Sequence, residues 1–141
     1  MAKYETSMKV RFGDIDHAGI VYYPRIINYF HVAFEEFFSD RVGLPYHELL
    51  DVRKLGFPSV RVDVDFRETL AFGDLVRVEI QTLKLGNSSL TLRYRIRKAG
   101  SEGICVAARI TTVCVDMDTF KPTRIPDDLR TVFSYHQASK E

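Results

Sequence analysis

Asp14, Asp16 and His17 stand close together in a short glycine-containing stretch, and Gly19-Ile-Val-Tyr22-Tyr23-Pro24 leads from them into a long apolar-striped segment. Proline suits the first position of a helix, where an amide hydrogen would lack an intrahelical acceptor, so Pro24 is expected to open one. Such a helix aims its unpaired amides and positive dipole end back at the loop carrying Asp16. A carboxylate facing a place where an oxyanion can develop is an arrangement for acyl chemistry.

Each of these residues also has a plainer reading. Acids before a glycine form turns and cap helices, which suits Asp14 and is open for Asp16. Gly19 permits a backbone conformation that other residues resist, and its missing side chain also lets a substrate approach the amides. Tyr22, Tyr23 and Tyr29 are either core aromatics or the walls of a pocket with polar tips. His31 and Glu35 are one helical turn apart and should pair. Asp14, Asp16 and His17 lack the further oxygens a hard cation wants, and His31, His47 and His136 have no ligand spacing, so no metal is expected. Neither cysteine has an evident activating histidine, and no Gly-x-Ser-x-Gly elbow is present.

The positioning elements follow from periodicity. Tyr4, Thr6, Met8, Val10 and Phe12 alternate with polar residues over 3–12, which reads as a half-buried strand. From Pro24 to Ser39 the residues Ile26, Ile27, Phe30, Ala33, Phe34, Phe37 and Phe38 share one helical face. A short helix is expected within 46–55 and another at Asp127–Tyr135, and Gly56-Phe57-Pro58 breaks the chain between them. Alternation then predicts strands around Val60–Arg67, Val76–Gln81 and Leu90–Arg97, and Ile104–Val115, apolar on both sides in places, is expected to be a strand that is interior or in a subunit contact. Short turns at Gly86-Asn87-Ser88 and Gly100–Gly103 force antiparallel neighbours. The expected class is α+β: a five-stranded antiparallel sheet wrapped around one long helix, a single domain over residues 1–141.

With 45% hydrophobic and 28% charged residues, the composition is that of a globular protein, and a net charge of +1 gives no reason to expect nucleic acid. No apolar run approaches the ~20 residues that span a bilayer, and the N-terminus lacks a signal-peptide core. Cys105 and Cys114 lie an odd number of residues apart in one apparent strand, so no disulfide is expected and a reducing cytoplasm fits best.

The string Phe12-Gly-Asp14-Ile-Asp16-His-Ala-Gly19-Ile-Val-Tyr22-Tyr23-Pro24, with the helix and strands after it, resembles the 4-hydroxybenzoyl-CoA thioesterase family of hotdog-fold proteins. The resemblance implies a hotdog subunit that pairs into a homodimer with a continuous sheet, assembles into a homotetramer, and places its active sites at the dimer interface. It implies that Asp16 is the catalytic carboxylate and that the backbone amide of Tyr23 polarises the thioester carbonyl. Gly19, Tyr22, Asn28, Tyr29 and His31 would line the substrate site, with the Phe57-Pro58-Ser59 loop over the acyl group. Relatives often carry an acid where this chain has His31. The hairpin around Asn87, Ser88 and Ser89 would hold the CoA nucleotide. The hydroxybenzoyl enzyme has basic residues at Gly86, Asn87 and Ser88, so Lys84, Arg93 and Arg124 are named as substitutes.

The implied reaction is hydrolysis of an acyl-CoA to the free acid and CoA, with no cofactor beyond the CoA of the substrate. The tyrosines tilt the reading toward benzoyl or hydroxybenzoyl groups. Short or medium aliphatic acyl-CoA esters and a non-catalytic acyl-CoA-binding module are the alternatives, and a hydratase is disfavoured for want of an Asp–His pair deeper in the helix region.

Overall fold

The computed structural model describes residues 2–139. Its elements run β1 (Tyr4–Lys9), a 3-10 turn at Phe12–Asp14, α1 (Tyr23–Phe37), a π turn at Phe38–Val42, α2 (Tyr46–Asp51), β2 (Leu55–Gly56), β3 (Ser59–Phe66), β4 (Leu75–Leu85), β5 (Ser89–Lys98), β6 (Ile104–Val113), β7 (Val115–Asp116) and α3 (Asp127–Tyr135). Five strands form one sheet in the order β1-β4-β5-β6-β3, with every pair antiparallel, and β2 pairs with β7 in a separate two-stranded ribbon. β6 is interior, as its two-sided apolar pattern suggests.

The long helix begins at Tyr23, so Pro24 takes the second helical position. Beyond Phe37 the chain widens into the π turn and stops at Gly43, whose φ of +77° is open to glycine at little cost. Ile26, Phe30, Ala33, Phe34, Phe37 and Phe38 are buried as the stripe requires, and Tyr29 joins them while Ile27 is only partly covered. Phe30 meets Tyr94 of β5 at 5.1 Å and Phe37 meets Tyr4 of β1 edge-on at 5.3 Å, fixing α1 on the inner face of the sheet. Phe133 of α3 stacks on Phe37 at 5.4 Å and closes the core from the far end.

Cys105 and Cys114 are buried free thiols; Cys114 lies just beyond β6. No helix among the described residues is long and apolar enough to cross a membrane.

Candidate active site

The motif loop hangs on Asp14. Its carbonyl accepts the Tyr22 amide at 2.9 Å, and its Oδ2 accepts the Arg11 amide at 3.1 Å and the Tyr29 hydroxyl at 2.6 Å. Tyr29 is almost fully buried, and burial, then the bond to Asp14, pushes its hydroxyl well above the usual phenol range. It therefore stays a neutral donor, and the loop is bolted to the second turn of α1.

Asp16 lies beyond that anchor and is exposed on the single chain. Its Oδ1 accepts the Ala18 amide at 2.8 Å and its carbonyl accepts the Gly19 amide at 3.0 Å, so the acid does form a turn. Gly19 has φ +81°, a conformation in which a side chain is strained. The other carboxylate oxygen of Asp16 has no hydrogen-bond partner among the described residues. Turn geometry and chemical availability thus coexist in one side chain.

The helix start leaves one amide unused. Val21 donates to the Leu70 carbonyl at 2.8 Å, Tyr22 to Asp14 at 2.9 Å and Arg25 to the Tyr22 carbonyl at 2.8 Å, while Pro24 has no N–H. The Tyr23 amide alone in this run has no acceptor among the described residues. It sits at the positive end of a 15-residue helix, where backbone donors favour negative charge.

Four of the residues singled out from the sequence meet elsewhere. His31, Phe57, Pro58 and Ser59 line a cavity of about 280 Å³ together with Tyr46, Leu50, Gly56, Met117 and Phe120. The β2–β7 ribbon builds it: Gly56 pairs with Val115, and Met117 donates its amide to the Lys54 carbonyl at 2.9 Å. The Phe57 amide donates to the Tyr46 hydroxyl at 3.1 Å, and the Tyr46 ring packs on Phe34 and Phe38 at 5.4 and 5.2 Å. At one wall His31 Nε2 meets Glu35 Oε2 at 2.8 Å, the pair expected from their spacing. Asp16, Gly19, Tyr22, Tyr23, Asn28 and Tyr29 do not line this cavity. Tyr22, Tyr23 and Asn28 are exposed, with the Tyr23 ring edge-on to Phe66 of β3 at 6.3 Å. One chain therefore presents the carboxylate and open amide as one set and the aromatic cavity as another.

Around the hairpin, the Asn87 carbonyl accepts the Ile125 amide at 2.9 Å and the Ser88 carbonyl accepts the Cys114 amide at 2.7 Å. Arg130 of α3, which sequence reasoning missed, donates to the Gly86 carbonyl at 2.9 Å. Arg124 pairs with Asp127 at 2.7 Å and Lys84 is exposed, while Ser89 opens β5. Arg93 is four residues along β5 on its outward side, where it donates to Gln81. No group of three or more His, Cys, Asp or Glu among the described residues is placed to hold a metal.

An antiparallel sheet packed on one long helix, with an acid-bearing turn feeding the helix start, is the hotdog architecture of CoA-thioester hydrolases. The sequence pattern of the Thioesterase-like superfamily matches residues 10–133, and the chain belongs to that superfamily. It is 25% identical over 131 residues to the 1,4-dihydroxy-2-naphthoyl-CoA hydrolase of Synechococcus elongatus, covering 92% of this chain and 94% of that one. The structure of BH1999 gentisyl-coenzyme A thioesterase superposes with a TM-score of 0.81 at 29% identity, over 90% of this chain and 99% of that one. Slr0204 from Synechocystis, a 1,4-dihydroxy-2-naphthoyl-CoA thioesterase, has the same fold, with a TM-score of 0.85 at 22% identity over 94% of this chain and 96% of that one.

Proposed function

We propose that the protein hydrolyses aromatic acyl-CoA thioesters to the free acid and CoA, with Asp16 as nucleophile or general base and the Tyr23 amide as oxyanion donor. The observation that carries the reading is the Tyr23 amide, left without an acceptor at the start of α1 beside the loop bearing Asp16. In one route the Asp16 carboxylate attacks the carbonyl, the C–S bond breaks, CoA leaves as thiolate, and water cleaves the acyl-aspartate anhydride. In the other, Asp16 takes the proton from the attacking water and the CoA thiolate is expelled directly. In both, charge grows on the carbonyl oxygen, and one preorganised donor there is typically worth ~3 kcal/mol of barrier lowering.

The cavity lined by His31, Tyr46, Phe57 and Phe120 is the acyl site of this proposal. Since the two sets of residues are separate within one chain, a homodimer brings Asp16 of one subunit to the cavity of the other. β3 is the strand suited to join them. It is an edge strand with Val60, Val62 and Phe66 exposed, and an apolar open edge is a pairing template unless another chain covers it. Assembly of such dimers into a homotetramer completes the proposal. The CoA nucleotide is assigned to the Asn87-Ser88-Ser89 hairpin, with Lys84 and Arg124 nearby and Arg130 bracing the turn. No cofactor is needed, and a cytoplasmic location suits a CoA substrate.

The names of the relatives support a hydroxyaryl acyl group, and benzoyl-CoA and hydroxybenzoyl-CoA are the first esters to test, followed by dihydroxynaphthoyl-CoA and gentisyl-CoA. Thiol release measured over these and over short and medium aliphatic esters tests the reading. The highest kcat/KM is expected on an aromatic ester; equal or better turnover of the aliphatic ones overturns the substrate class.

A further inference from the structure

Two non-glycine residues among the described ones have a positive φ, and both flank the β2–β7 ribbon: Lys54 at +58° just before β2, and Phe120 at +57° in the turn after β7. A side chain in this left-handed region costs free energy that glycine avoids, and it persists only where its surroundings over-determine it. Lys54 has a structural return, since its carbonyl accepts the Met117 amide and closes the ribbon.

Phe120 is held as firmly, by Asp116. The Asp116 carbonyl accepts the Phe120 amide at 2.6 Å, its Oδ1 accepts the Asp118 and Thr119 amides at 2.8 and 3.2 Å, and its own amide donates to the Lys121 carbonyl at 2.9 Å. The Phe120 side chain, however, returns little to the core. It is 60% exposed and has no ring contact with another described residue. It lines the cavity all the same, opposite in character to the aromatic walls Tyr46 and Phe57. Those two are backed by core rings, Phe57 by Phe34 and Phe38 at 6.1 and 6.0 Å. The cavity thus has two aromatic walls fixed from behind and a third carried on a strained turn, its ring bare to whatever enters.

We propose that Phe120 is a specificity-determining residue, its ring packing against the acyl group and favouring aromatic over small aliphatic esters. The strain at φ +57° is then offset on binding, when an aromatic acyl group covers the ring and pairs with it; an acetyl group is too small to do either. This rests on the assignment of the cavity to the acyl group made under Proposed function.

Calorimetric titration of the wild type and Phe120 variants with S-benzyl-CoA and S-ethyl-CoA tests it, because thioethers are not hydrolysed. The wild type should bind S-benzyl-CoA about tenfold more tightly than S-ethyl-CoA. Phe120→Gly should lose about tenfold on S-benzyl-CoA and less than twofold on S-ethyl-CoA, and Phe120→Tyr should restore the difference. Because glycine accepts the turn without strain, the unfolding midpoint of Phe120→Gly should stay at or above that of the wild type. Equal losses on both thioethers, no loss on either, or a midpoint lower by several degrees overturns the proposal. Thiol release from benzoyl-CoA by the wild type is read alongside. Release without discrimination between the thioethers removes Phe120 and keeps the reaction. Discrimination that vanishes in Phe120→Gly, with no release by the wild type, keeps Phe120 and removes the reaction.

Discussion

The Tyr29 hydroxyl donates to Oδ2 of Asp14 at 2.6 Å, joining the second turn of α1 to the loop that precedes it. The same carboxylate oxygen holds the Arg11 amide, and the Asp14 carbonyl holds the Tyr22 amide next to Tyr23. A single residue thus sets both the approach of the loop and the placement of the open amide. In the proposed mechanism Asp14 and Tyr29 would act as positioning residues, holding the loop and the helix start without touching substrate.

Tyr29→Phe keeps the ring in the core and removes only that donor. Hydrogen bonds to charged groups contribute ~1.5–3 kcal/mol, so a thermal unfolding midpoint lower by several degrees is expected. Turnover should fall through kcat with KM little changed, since the loop loses its fixed register and the cavity residues are elsewhere. An unaltered midpoint would remove Asp14–Tyr29 from the frame of the site.

Asp16→Asn separates turn geometry from chemistry. The amide oxygen can still accept from Ala18, so the turn and the unfolding midpoint should be retained. Thiol release should drop by at least ~10²-fold, the usual scale for loss of an acid–base group or nucleophile. Turnover within a few-fold of wild type would take Asp16 out of the reaction.

Much of this frame was legible because it is local. The strand alternation over residues 4–9, the α1 stripe and the glycine turns each reflect a period or a backbone need that neighbours in sequence dictate. What could not be read depends on segments meeting across the fold. Tyr46 looks like any helical aromatic until β2 brings Phe57 to its hydroxyl, and Phe120 enters the cavity wall from a turn with φ +57°, rare for a non-glycine residue. No local pattern marks Arg130, which reaches back from α3 to the Gly86 carbonyl. The two-residue strands β2 and β7 are too short to carry any alternation.

His136 gives the fold a pH dependence. Its ring packs on Phe37 at 5.3 Å, Nδ1 is 3.0 Å from the Ala2 carbonyl, and Nε2 is buried without a hydrogen-bond partner among the described residues. Burial, then the nearby Arg41 charge, holds its pKa below the ordinary histidine value, against the opposing pull of the Ala2 carbonyl. The unfolded chain then binds the proton first as pH falls, so this contribution is whole above the unfolded pKa of ~6.5 and is lost on descending through the window to the folded value. Unfolding midpoints measured from pH 7.5 down to about 5.5 should decline, and the decline should be shallower in His136→Phe. Parallel slopes in the two proteins would assign the effect to other groups.

The open edge of β3 gives a test of assembly. Val62 is exposed on the strand, and a charge there would be buried without a partner if two β3 edges join. Val62→Asp is expected to convert the dimer to monomer in sedimentation experiments and to reduce thiol release in parallel, since the Asp16 set and the cavity would no longer meet. A monomeric wild type, or an unchanged dimer in the variant, would exclude β3 as the joint.

Gly56 bounds the cavity that the proposed function assigns to the acyl group. A Cβ built there falls 2.6 Å from Met117 Sδ and 3.2 Å from Leu50 Cδ2, and both side chains line the cavity. Met117 is unbranched and its sulfur lies toward the end of a flexible chain, so Gly56→Ala should displace it at a modest cost in stability. Met117 lines the cavity, so a thioether displaced into it would narrow the room for an acyl group. Comparison of kcat/KM on dihydroxynaphthoyl-CoA and benzoyl-CoA is the measurement. A loss of ~10-fold is expected on the two-ring ester against little change on the one-ring ester, the scale of discrimination that a methylene gives in an apolar pocket. Equal effects on both esters would mean that the acyl group binds elsewhere, and the cavity would lose its assignment.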